Sequence, residues 1–199
     1  MSVTSTLVSV FVGAALSHGV AYFQNRRSVK VKKTAIFQEI DDLTGWADRH
    51  LRTLKFNLQL IELEQPFNSL PIDIKPFLFE QHFHEVCIHL TKRQRIAIVD
   101  FYSVWEHFNQ SVSSYMSLYD NPDIREKVDL YEKLRALYHV AWELKAKGPW
   151  IQHIEKTNVE AMKGAQLKID QAAEAELQQA LKEAHDLGPQ KLREKYYSG

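Results

Sequence analysis

The densest run of chemistry-bearing side chains is Glu80, His82, His84, Glu85, Cys87 and His89. On a continuous α-helix His82, Glu85 and His89 fall at i, i+3 and i+7 and share one face, so two imidazoles and a carboxylate could begin a divalent-metal site. The run lacks the fixed ligand pairs of known zinc motifs, and a complete site needs another ligand from elsewhere. The competing expectation is an ordinary polar helix face. Cys87 would serve as a nucleophile only beside a base in an electropositive setting. Its helical angle puts it next to the apolar face instead, as an inert thiol. The chain has no Gly-rich phosphate loop, no Gly-x-Ser-x-Gly and no His-Glu-x-x-His, so nucleotide hydrolysis and the familiar hydrolase mechanisms find no support and no cofactor is implied.

Two further sets of residues could bind rather than react. Phe101, Tyr102, Trp105, Phe108, Tyr115, Tyr119, Tyr131, Tyr138 and Trp142 fall in two successive helical stretches that should lie antiparallel. They would line an apolar pocket or, more simply, fill a core. Arg26, Arg27, Lys30, Lys32 and Lys33 form a basic cluster suited to anionic lipid headgroups, each residue near such a surface contributing about 1 kcal/mol. Lys92, Arg93 and Arg95 are too few for nucleic acid and could join that lipid contact. Acidic and basic residues balance at 25 each, with a pI near 7.1, so no overall field gathers nucleic acid or a charged substrate.

The basic cluster directly follows residues 3–23, which contain no Asp, Glu, Lys or Arg. About 20 mostly apolar residues suffice for a helix to cross the hydrocarbon core, although Thr4, Ser5, Thr6, Ser9, Ser17 and His18 dilute this stretch. Positive charge is retained on the cytoplasmic side, so the expectation is a transmembrane anchor over 1–24 in the cell (inner) membrane. Its N-terminus lies outside, a basic juxtamembrane segment spans 25–33, and the bulk of the chain is cytoplasmic. A cleaved signal peptide would carry its charges ahead of the apolar run rather than behind it. Ser5, Ser9, Gly13, Ser17 and Ala21 recur every fourth residue. This small-residue stripe would let the anchor pair with another copy or with another membrane helix.

The single cysteine suits a reducing compartment. Seven Gly and six Pro in small clusters leave long stretches for helices. Ile36, Ile40, Leu43, Ala47, Leu51, Leu54, Leu58 and Ile61 trace one face of a long helix over about 33–64. Pro66, Pro71 and Pro76 mark a loop, and a shorter helix follows over 76–90. Thr91 and Gln94 have the capping-box spacing that starts the next helix. Asp120, Asn121 and Pro122 separate it from a helix ending at Gly148-Pro149. The last helical region, about 150–187 with an interruption near Thr157 and Asn158, carries a narrow seam of Ile169, Ala173, Leu177, Ala180, Ala184 and Leu187. That seam would dock on the bundle or, as a coiled-coil strip, on a partner.

These elements predict an all-α protein: a single transmembrane helix, an antiparallel bundle of about four to five helices over 34–187, and a tail over 188–199. The functional expectation is a non-enzymatic interaction or scaffolding module on the membrane. Its rivals are a ligand- or metal-binding bundle and an oligomer that perturbs the membrane.

Overall fold

The backbone is described here, from a computed structural model, for residues 3–66, 69–119, 126–154 and 159–197, with side chains for 17–66, 69–115, 128–151, 153–154 and 165–197. Five α-helices account for nearly all of it: α1 (Val3–Glu62), α2 (Leu78–Val86), α3 (Lys92–Tyr119), α4 (Glu126–His153) and α5 (Val159–Tyr197). The chain is all-α among the described residues. The expected stop at Asp120, Asn121 and Pro122 lies outside them, as do Thr157 and Asn158.

α1 is one helix of 60 residues, about 90 Å long at 1.5 Å per residue. The segment 3–23, the basic cluster and the first bundle helix are therefore a single rod rather than an anchor joined by a linker. Its apolar stripe Ile36, Ile40, Leu43, Ala47, Leu51, Leu54 and Leu58 is buried as the periodicity requires. From Phe56 to Leu60 every residue is buried, because that end is enclosed on all sides. The Asn57 amide donates to Ser69 O in the returning loop, and the Gln59 amide donates to Ala180 O on α5 at 2.6 Å. The helix closes with Glu64 in the left-handed region at φ 56. Gln65 N–H bonds Leu60 O at 2.8 Å and Glu64 N–H bonds Ile61 O at 2.9 Å, a Schellman closure followed directly by Pro66.

The other elements alternate in direction along α1. α2 runs antiparallel to it, from Glu39 back to Lys32. α3 runs parallel, at sequence separations of 61 and 63 where Lys33 meets Gln94 and Tyr102 meets Glu39. α4 returns antiparallel, pairing Lys145 with Asp48 on α1 and Lys147 with Asp100 on α3. α5 descends along α1 and α4, so the seam docks on its own bundle. Ala173, Leu177, Ala180 and Ala184 are buried, while Glu176 joins Lys55 and the Trp142 indole and Glu174 joins Arg135 and His139. The capping box at Thr91 forms in both directions at 3.2 Å.

Two expectations need correction. Gly148-Pro149 does not end α4, which continues to His153 with Ile151 and Ile154 buried. A Cβ at Gly148 would sit 1.9 Å from Thr44 Oγ1, so this glycine serves the close crossing of α4 over α1. Gly188 does break the last helix, at φ 71 and ψ 168, but the described part of the expected tail, 188–197, packs on the bundle. Helical structure resumes through Tyr197, doubling back so that Leu192 is buried, Tyr196 stacks on Phe56 at 4.4 Å and Lys195 pairs with Glu183. No helix among the described residues is long and apolar enough to cross a membrane. The span over 3–23 is therefore not shown: side chains are described only from Ser17, where His18 and Gly19 interrupt the apolar run.

Candidate functional site

Glu39 organises the region from which the sequence suggested chemistry. α2 starts after Phe77, which has no side chain able to accept its orphan amides. Those amides find Glu39 of α1: Oε1 accepts the N–H groups of Phe77 and Leu78 at 2.7 Å, and Oε2 accepts that of Phe79 at 2.8 Å and the Tyr102 hydroxyl at 2.7 Å. A carboxylate at the positive end of α2 thus caps it from another helix. Burial, reinforced by the Glu39 carboxylate, pushes Tyr102 well above the usual phenol range. The Phe79 ring stacks on Tyr102 at 3.9 Å. Every lone-pair direction of Glu39 used here serves structure, and none is offered to a substrate. Beside it an open groove of about 690 Å³ between α2 and α3 is lined by Asp73, Lys75, Glu80, Ser103, Glu106 and Asn109. Asn109 is spent on Ile74 O.

Held at its start by Glu39, α2 presents the histidine run, but not as one face. It ends at Val86, and a 3-10 turn takes Cys87–His89 before Leu90 becomes extended. The tighter winding removes the helical phase that would set His89 over His82. Glu85 is bonded to Lys32, which holds its carboxyl below the usual range. His82 is half-buried with Nδ1 unpartnered, and His89 is exposed. Among the described residues no three His, Cys, Asp or Glu side chains are placed to hold a metal ion. Cys87 is half-buried and its thiol lies 3.2 Å from His84 O, a local bond back to the last turn of α2. Of the nine aromatics, Phe101, Tyr102, Trp105, Phe108, Tyr115 and Tyr138 are buried in the core and Tyr131 and Trp142 pack against it, while the side chain of Tyr119 lies outside the described residues.

What the fold does gather is charge, at the end of the bundle where α1 leaves it. Of the five basic candidates, Lys32 and Lys33 are drawn into the bundle, Lys32 to Glu85 and Lys33 to Gln94 at 3.4 Å with its ammonium over Phe37. Arg26, Arg27 and Lys30 stand exposed on the projecting helix, with no carboxylate partner among the described residues. The same end carries Lys92, Arg93 and Arg95 in the first turn of α3, and the turn between α2 and α3, where Ile88 is 72% exposed. Beyond Lys30 the helix continues with Val20, Tyr22 and Phe23 exposed. Of the small-residue stripe, Ser17 and Ala21 are exposed, and the side chains of Ser5, Ser9 and Gly13 lie outside the described residues. An apolar groove of about 340 Å³ also opens near this end, between Ile96, Trp150, Ile151, Ile154 and Ile169, with Lys147 and Asp100 paired at its rim.

Among the buried polar residues, two break the apolar stripe that the sequence pattern traced. Glu39 and His50 both lie on the apolar stripe of α1, three residues after Ile36 and Ala47. The signal for Glu39 was there: Pro76-Phe77-Leu78 opens a helix without any capping side chain, so its acceptor had to come from another element. No family model, no curated protein and no solved structure matches this chain.

Proposed function

We propose that this chain is a single-pass membrane protein, N-terminus outside, whose helical bundle is held at the inner face as an interaction or scaffolding module. The observation that carries the reading is the continuity of α1. The rod that forms the bundle's central stripe leaves it at about residue 31 and runs on to Val3. Its outer part is free of formal charge over 3–23, and the basic cluster stands between that part and the bundle. A helix projecting about 40 Å from its own domain has no water-soluble reason to be uncharged. Basic residues behind such a stretch keep the bundle on the cytoplasmic side. The stripe of Ser5, Ser9, Gly13, Ser17 and Ala21 supports pairing of two such helices in lipid. The reading as a module rather than an enzyme rests on the site chemistry: the buried carboxylate is consumed by capping, Asn109 of the larger groove is bonded to Ile74 O, and Lys147 and Asp100 at the rim of the smaller one are paired with each other.

The test is retention in membranes. Expressed chain should stay in the pellet after alkaline carbonate washing. Val10→Lys with Leu16→Glu should release it, because each charge at the centre of a span costs roughly 2.5–3.5 kcal/mol. Release of the unaltered chain by carbonate would sink the reading. Folding of the released variant is checked by its helical circular dichroism.

A further inference from the structure

From the placement of its basic residues we infer that the end of the bundle surrounding α1 is a lipid-docking platform, which seats the bundle flat on an anionic bilayer with Ile88 at its apolar tip. This rests on the membrane-tether reading and adds to it a second, independently breakable contact.

Three cations stand at the wrong end of a helix. Lys92, Arg93 and Arg95 occupy the first turn of α3, which has no acidic residue. The helix dipole favours Asp or Glu there and disfavours cations. The cap itself is supplied by neutral groups, Thr91 and Gln94. Lys92 and Arg95 are exposed and have no carboxylate partner among the described residues. For Lys92 and Arg95 a local rule broken without a compensating carboxylate in the described fold points to a partner outside it, and two cations require an anionic one.

Level and spacing identify that partner as a surface. Because Lys33 meets Gln94 and α1 and α3 run parallel, Lys92 stands about level with residue 31 of α1, directly inward of Arg27 and Lys30. α2 points the same way: Glu85 reaches Lys32, and the turn bearing Ile88 projects beyond it toward the N-terminus of α1. Basic residues of α3 and an exposed isoleucine thus lie beside the emerging rod, which carries basic residues of its own. Glu85, the acidic residue paired at this end, is neutralised by Lys32. From Phe23 to Lys30 the rod rises about 10 Å. The headgroup zone outside the hydrocarbon core is about 5–7 Å deep on each side, and the reach of Lys and Arg side chains covers the difference. Since α1 is unbroken across this interval, the distance is built in, and the platform meets the headgroups whenever the outer segment is inserted.

The experiment uses the full chain reconstituted in vesicles, with Cys87→Ser and Ile88→Cys to carry a fluorophore at the tip. Quenching by a lipid bearing a headgroup nitroxide reports docking, and alkaline washing reports the tether. In phosphatidylcholine vesicles containing phosphatidylglycerol the label should be strongly quenched, and in pure phosphatidylcholine weakly. Lys92→Glu with Arg95→Glu should lower the docked population by roughly tenfold or more in the anionic vesicles, with the chain still resisting the alkaline wash. Seven residues of helix inserted between Phe23 and Gln24 lift the platform by about 10 Å, a full Debye length. They should abolish quenching without altering one charge. Equal quenching in both lipids and in all variants of a vesicle-retained chain overturns the platform alone. A chain that washes off overturns the tether reading and this inference together.

Discussion

The two halves of α1 differ sharply in what surrounds them. From Ile36 to Leu60 the helix is buried along its whole apolar stripe and finally on every side, and its buried Glu39, Asn57 and Gln59 are tied to other parts of the fold. From Ser17 to Lys30 it stands almost entirely exposed, with Val20, Tyr22 and Phe23 turned to the surroundings. Regular helix runs through both. Backbone hydrogen bonding alone therefore accounts for neither. The inner half is held by packing that a short isolated helix in water lacks, and the outer half needs an environment the fold does not supply. Stability and function are thus placed on different halves of one element.

The most damaging way to break this division is to remove the acceptor that ties α2 and α3 to the inner half. Glu39→Ala leaves three amides and a buried phenol without their common partner. It should lower unfolding stability by about 3–5 kcal/mol, read from the urea midpoint. Glu39→Gln keeps one acceptor oxygen and should cost less. An equal loss for both would mean that the carboxylate charge, rather than the number of acceptors, matters at the α2 start.

The next effect is a pH dependence that only the inner half can generate. His50 is buried against Trp46, Trp105 and Phe108, stacked on the last at 5.3 Å, with Nε2 unpartnered. Desolvation lowers its pKa from 6.5 to about 4. Between those values the unfolded chain binds the proton and the folded chain does not. The contribution is complete above about pH 6.5 and is lost as pH falls toward 4, by roughly 3 kcal/mol at about 1.36 per unit. His50→Phe should flatten that part of the stability curve. An unchanged acid limb in the variant would assign the loss to other groups.

How much of this was legible depends on whether the information was local. The stripe on α1, the Thr91 capping box and the aromatic core repeat at helical spacing or sit within one turn, so the residues themselves report them. The histidine face was misread because a 3-10 turn at Cys87–His89 shifts the phase, and nothing in that short run specifies one winding over the other. Gly148 shows the same limit. Before a proline it has the form of a helix stop, and only the crossing with Thr44, a residue about a hundred positions earlier, gives it another purpose. Glu39 and His50 look like defects in an apolar stripe until α2 and the aromatic residues of α3 are placed beside them. Tertiary partners of this kind leave no periodic trace.

The smallest expected effect is also the sharpest comparison of the two halves. Gly19 and Gly45 are both within α1, and a Cβ added at either meets nothing within 4 Å. Each replacement by alanine improves helix propensity by about 1 kcal/mol. At Gly45 the gain should appear in full as bundle stability, because that turn folds only with its packed neighbours. At Gly19 it should be nearly absent, since the outer turns open locally without disturbing the core and their free energy does not enter the global transition. All four tryptophans, Trp46, Trp105, Trp142 and Trp150, belong to the bundle. Their fluorescence during urea unfolding in mild detergent therefore reads the inner half alone. Equal gains at the two glycines would show that the rod unfolds as one cooperative unit. The division between a packed half and a projecting half would then be one of exposure and not of energy.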